Sequence, residues 1–211
     1  MKKDKRFQGF TLIELLVVIG IIVVLSVVVV LTLNPAELLK QARDSNRISD
    51  MATLKSSLAL YLADVASPNL ASSTNGTNYC WAHASSGYGV AGTSLNCYNS
   101  GSSTAHFVRA GTYATTSALT NPLAVDGTGW IPVVFTLISS GAPITALPVD
   151  SVNNAVYYYS YTAATGTMTY KVASHMESNK YSFAGGQSTN VENNDGGSLS
   201  STYEVGSNLG L

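Results

Sequence analysis

Between Leu15 and Leu33 no residue carries a charge, and only Gly20, Ser26 and Thr32 interrupt an otherwise aliphatic run. A helix needs about 20 apolar residues to cross roughly 30 Å of hydrocarbon, and this run meets that length. A cleaved secretory signal has a shorter apolar core followed by small residues of the A-x-A type. No such site follows Leu33, and a helical pattern continues instead. The first six residues hold Lys2, Lys3, Lys5 and Arg6 against Asp4 alone. Positive flanks stay on the cytoplasmic side. The expectation is a single-pass chain with its amino terminus inside and its remaining residues exported.

At 211 residues the chain has room for an anchor and one domain. From Ser67 onward it is rich in Ser, Thr, Gly, Asn, Ala and Tyr. Beyond Ala66, three positive side chains (Arg109, Lys171, Lys180) and six negative ones (Asp126, Asp150, Glu177, Glu192, Asp195, Glu204) give this part a net charge of −3. No broad basic face for nucleic acid is advertised, which leaves only a small local patch for such a partner.

Glu14 is the anomaly in the anchor. A carboxylate inside a spanning helix is unfavourable by about 2–3 kcal/mol near the centre and less near an interface. Either it reaches the headgroup layer, or it pairs with a cation supplied by a neighbouring subunit. Its surroundings bear on the choice. Gly9-Phe10-Thr11-Leu12-Ile13-Glu14, preceded by Lys and Arg and followed by the aliphatic run, resembles the bacterial type IV prepilin signature. Pseudopilins of type II secretion and DNA-uptake systems share that signature. The resemblance implies that a membrane peptidase and methyltransferase cuts between Gly9 and Phe10 and methylates the new terminus at Phe10. It implies that Glu14 faces the free amine of Phe10 in an adjacent subunit, each buried charge relieving the other and setting axial register. It also implies an inner-membrane precursor held in lipid, partners that include copies of itself, related minor subunits and an assembly platform, and a cell-surface or periplasmic filament as the product.

Asn34-Pro35-Ala36-Glu37 closes the apolar run. Asn is a good cap, Pro is favoured at a first helical position, and Glu three residues past the cap completes a capping-box-like pattern. The helix is therefore expected to break or restart at Asn34 and Pro35. From Ala36 to about Val65, Met51, Leu54, Leu58, Tyr61, Leu62 and Val65 recur at three- and four-residue spacing and share one face. Lys40, Arg43, Asp44, Arg47, Asp50 and Lys55 are assigned to other faces, as ordinary solvated charges or as pairs across subunits. Ser67-Pro68-Asn69 ends this helix.

Residues 69–129 lack periodicity and are rich in turn formers. A long loop is expected there, with short candidate strands at Ala105–Arg109 and Gly111–Thr115. Export permits a disulfide between Cys80 and Cys97, a closure contributing about 3 kcal/mol. Val156–Thr162 and Thr167–Ala173 are strand-like, joined by a hairpin through Ala163–Gly166, and Lys180–Ala184 offers a third strand. Val133–Ile138 reads as a strand by its β-branched residues and as an irregular connection by Pro132. Leu147-Pro148-Val149-Asp150, followed by Asn153-Asn154, resembles the turn before the sheet in pseudopilins.

The expected fold is α+β: a long amino-terminal helix, spanning in its first half and amphipathic in its second, packed on a small antiparallel sheet, with a long loop between. The expected boundaries are a leader (1–9), a membrane and filament-core helix (10–34), an amphipathic half-helix (35–66), an exported head (67–184) and a Gly/Ser/Asn-rich extension (185–211), either a flexible tail or a decoration that wraps the sheet.

Chemical motifs are few. Gly87–Gly92 has the spacing of a dinucleotide-binding motif but lacks the strand and helix such a motif requires. Cys80, His83, Cys97 and His106 form a conceivable zinc set, against which the disulfide is favoured. Asp150 with Asn153 and Asn154, and separately Glu192–Asp195, offer hard oxygen ligands of the kind calcium takes. The resemblance adds that major pseudopilins bind calcium in a sheet loop. No nucleophile elbow, phosphate loop or metalloprotease helix is present, so no enzyme and no other cofactor is expected. The expected role is that of a filament subunit. The rival is a minor pilin or anchored head acting as a binding module for DNA, a surface or a secreted substrate.

Overall fold

The computed structural model describes residues 9–70, 79–83 and 121–211 except 155, 165 and 189. The chain divides into two compact units, Met1–Leu39 and Lys40–Leu211.

The first unit is built on α1 (Leu12–Leu33), capped by Thr11. Its 22 residues rise roughly 33 Å at 1.5 Å each. The window Leu12–Val29 has mean hydropathy 3.2, is unburied, and is long and apolar enough to cross a membrane. Such a surface requires lipid or other helices around it. Ser26 hides its hydroxyl by donating to the Ile22 carbonyl at 2.7 Å. At Asn34 the backbone turns left-handed (φ 41, ψ 73) and α1 stops. The same residue starts α2 (Pro35–Asp64): its side-chain oxygen accepts from the Glu37 amide at 3.4 Å. Asn tolerates the left-handed region better than other non-glycine residues, and Pro35 needs no amide partner at a helix start.

In the second unit, α2 lies on an antiparallel sheet of four strands in sequential order: β1 (Tyr79–His83), β2 (Tyr159–Ala164), β3 (Thr169–Ser174) and β4 (Tyr203–Gly206). Alternation sets which side chains meet the helix. Tyr159, Tyr161, Tyr170 and Val172 join Met51, Leu54, Leu58 and Tyr61 in one core, closed by Leu70, Trp130, Phe135 and Leu147. Polar tips are satisfied where the rings are buried. Tyr161 donates to the Leu70 carbonyl at 2.7 Å, Tyr170 to the Lys55 carbonyl at 3.0 Å, and the Trp130 indole to the Pro148 carbonyl at 3.0 Å.

Three expectations are corrected. Lys180–Ala184 is not a strand; a 3-10 turn occupies Phe183–Gly185. A Cβ at Gly185 would fall 2.0 Å from the Asn179 carbonyl oxygen, so the chain folds back too tightly there for a strand. The next strand comes instead from the carboxyl-terminal segment, which joins the sheet and is not a loose tail: β4 pairs with β3, Val205 opposite Val172. Asp44 and Arg47, assigned to solvated faces, are fully buried. Val133–Ile138 resolves as a 3-10 turn at Phe135–Leu137 with one bridge, Val134 to Asp126. Ala105–Arg109, Gly111–Thr115, Gly87–Gly92, Cys97 and His106 lie outside the described residues. Cys80 stands in β1 opposite Thr162.

Candidate functional site: the amino-terminal signal and the polar seam of α2

Two groups of side chains stand out, one in each unit. In the first, Gly9 and Phe10 are exposed, Phe10 at 88%. Two residues on, Thr11 and Glu14 make a reciprocal capping box. The Thr11 hydroxyl accepts from the Glu14 amide at 3.3 Å, while one carboxylate oxygen, Oε2, accepts from the Thr11 amide at 2.8 Å and its hydroxyl at 2.7 Å. Among the described residues no donor reaches Oε1. The first turn of a helix has unsatisfied amides and a positive dipole end, so a carboxylate is favoured there. Thr-x-x-Glu ahead of an apolar run is the sequence sign of such a box. Thr11-Leu12-Ile13-Glu14 carries that sign.

In the head unit, the buried stripe of α2 continues past its apolar part. Asp44, Arg47, Met51, Leu54, Leu58 and Tyr61 follow each other at three- and four-residue steps. The first two carry charge into the interior. Arg47 donates from Nε and Nη2 to the two oxygens of Asp150 at 2.5 and 2.9 Å, from Nη1 to Asp44 at 2.6 Å, and from Nη2 to Glu177 at 2.5 Å. Arg43 grips Glu177 from outside at 3.0 and 2.6 Å. The remaining acceptor capacity is filled by main-chain amides. Glu177 and Ser178 donate to Asp44, and Val152 and Asn153 donate to Asp150. The Tyr157 ring lies under the Arg47 guanidinium at 5.1 Å. A buried ion cluster is tolerable only when its charges are paired and its lone pairs used. Here both conditions hold.

Burial pushes the Glu177 carboxyl up, but hydrogen bonds from Arg43 and Arg47 prevail and hold it below the usual glutamate range. Asp50 goes the other way. Burial raises it, only partly offset by the Tyr159 hydroxyl that donates to it at 2.7 Å.

This geometry bears on the calcium expectation at Asp150, Asn153 and Asn154. Both Asp150 oxygens are engaged by Arg47, and the Asn154 side-chain oxygen accepts from the Val156 and Tyr157 amides at 2.8 and 2.9 Å. In the second acidic stretch, Glu192 accepts from the Met176 and Phe183 amides, and Asp195 from the Gly197 and Glu204 amides. Among the described residues no group of three or more His, Cys, Asp or Glu converges to hold a metal ion.

Two further charged contacts lock the carboxyl-terminal segment to the sheet. Lys171 and Glu204, both buried, pair at 2.7 Å across β3 and β4. His175 Nδ1 lies 2.6 Å from the Ser201 carbonyl oxygen and 3.1 Å from Glu192, so that nitrogen carries the proton, and the ring stacks on Tyr157. Neither contact is legible from spacing, because each joins residues from segments well apart in the sequence.

Residues 4–30 match the prokaryotic N-terminal methylation motif, the prepilin-type signal of pilins and pseudopilins. No curated protein and no solved structure matches the chain. The motif supports a pilin- or pseudopilin-like precursor, and the apolar helix is long and apolar enough for membrane insertion.

Proposed function

We propose that this chain is a structural subunit of a type IV pilus or pseudopilus, cut between Gly9 and Phe10, methylated at Phe10 and assembled through α1. The observation that carries this reading is the junction itself. A motif spanning residues 4–30 holds both the Gly9-Phe10 step and most of α1, a helix whose described apolar side chains are all exposed. Such a helix is stable in lipid and equally stable against other apolar helices, so transfer from membrane to filament needs no refolding. Glu14 suits the same transfer. Its Oε2 is satisfied within its own chain, which makes it tolerable in the precursor. Its Oε1 is left to accept from the Phe10 amine of a neighbouring copy.

The outward face of α2 supports close neighbours as well. Ala42, Ser45, Ser49, Ala52, Ser56 and Ala59 are exposed and alternate at three- and four-residue steps. Ser45 and Ser56 donate to carbonyls four residues back, at 2.9 Å each, so their protons are already placed. Small, self-satisfied side chains let helix backbones approach closely.

The test is mass spectrometry of the subunit from sheared surface or periplasmic filaments, with electron microscopy of the same material. The expected species begins at Phe10 and is one methyl group heavier than the sequence. A chain that keeps Met1, or never leaves the membrane, sinks the proposal. A processed chain present only in trace amounts within filaments built of another subunit makes it a minor pilin, acting as a binding module.

A further inference from the structure

Along α2 the head is held by two zones of opposite chemistry, and the chain enters from the polar one. Counting from Lys40, where the head unit begins, Arg43, Asp44, Arg47 and Asp50 engage Glu177, the Glu177 and Ser178 amides, Asp150 and Tyr159. Full apolar burial starts only at Met51 and runs through Leu54, Leu58 and Tyr61.

Water acts on the two zones differently. Ions released from a buried cluster are rehydrated, which returns much of their desolvation penalty and leaves the exchange near balance. Exposed apolar surface gains nothing comparable, and its opening is opposed in proportion to area. Segments that differ in this way open as separate cooperative units.

We propose that residues 40–50 of α2, with their partners Asp150, Tyr159 and Glu177, form a latch that opens while Met51–Tyr61 stays packed. Opening lengthens the link between apolar helix and head core. Eleven helical residues span roughly 16 Å and the same residues extended roughly 36 Å, so the head gains about 20 Å of reach without losing its core. The latch rests on the filament reading only in that tension is taken to arrive through α1.

Hydrogen exchange by mass spectrometry, on the full chain in lipid nanodiscs, tests it. Amides of residues 43–50 are expected to be at least about tenfold less protected than those of 54–61. Arg47→Lys keeps the charge but loses the fork. It should cost residues 43–50 about a further tenfold in protection, and residues 54–61, which open only with the whole head, should lose no more than that and stay the better protected. If Arg47→Lys does not fold, Arg43→Gln, which touches only the outer edge of the cluster, gives the same comparison. One protection level across 43–61, moved as a block by either variant, overturns the latch. The measurement is made on unassembled chains, so failure of cleavage at Gly9 would sink the filament reading and leave this result standing.

Discussion

Arg47 reaches across 103 residues of chain to grip both carboxylate oxygens of Asp150, at 2.5 and 2.9 Å, from a position where it is itself completely buried. The pair ties α2 to the Leu147-Pro148-Val149-Asp150 turn. Removing one partner strands the other. Arg47→Ala leaves Asp44, Asp150 and Glu177 together without their shared cation, a change expected to destabilise the head by about 3–5 kcal/mol. Urea unfolding of the detergent-solubilised chain measures it. A loss below about 1 kcal/mol would mean that the cluster contributes little beyond filling space.

Acid should loosen the same seam. The folded Glu177 carboxyl sits below its ordinary value because Arg43 and Arg47 donate to it. A carboxyl depressed on folding contributes stability that is complete above its unfolded pKa and is lost as pH falls through the folded one. Stability should therefore fall on acidification below the ordinary glutamate range, and Glu177→Gln should flatten that part of the profile. An unchanged slope in the variant would assign the acid sensitivity elsewhere.

Asp50 carries the opposite sign. Burial raises its folded pKa above the unfolded value, so its ionisation opposes folding, and the penalty grows as pH rises from the unfolded to the folded value. Asp50→Asn keeps an oxygen for the Tyr159 hydroxyl and removes the charge. It should match or exceed the parent in thermal midpoint at neutral pH and lose that advantage in acid. A lower midpoint at neutral pH would show that the charge strengthens the Tyr159 bond by more than burial costs it.

How much of this was legible follows from where the physics is local. The anchor could be read because lipid imposes a length and a composition on contiguous residues, from Leu15 to Leu33. The β2–β3 hairpin could be read because Val156–Thr162 and Thr167–Ala173 carry strand composition on both sides of a turn. The seam was hidden for a specific reason. Charge in Asp44 and Arg47 reads as solvent-facing, although both continue the stripe of Met51 and Leu54 in helical step. Their partners Asp150 and Glu177 lie more than a hundred residues away, and no local signal links them. β4 carries no comparable signal, because Gly196, Gly197 and their neighbours give the tail a loose composition and Tyr203–Gly206 is only four residues long.

The final test concerns the tail. Lys171 and Glu204 are both buried, and Glu204 also accepts from the Leu199 amide at 3.0 Å. Lys171→Met removes the cation alone and leaves a buried carboxylate, an arrangement expected to cost about 3–5 kcal/mol. Combining it with Glu204→Gln removes the charge while keeping an acceptor for Leu199, and should recover a good part of the loss. Limited proteolysis reads the outcome on the tail itself, because β4 is an edge strand held by β3 on one side. The single variant should be clipped beyond Gly197, and the double variant should resist. Equal clipping of both would mean that β4 is secured by Val172 against Val205 and not by the ion pair.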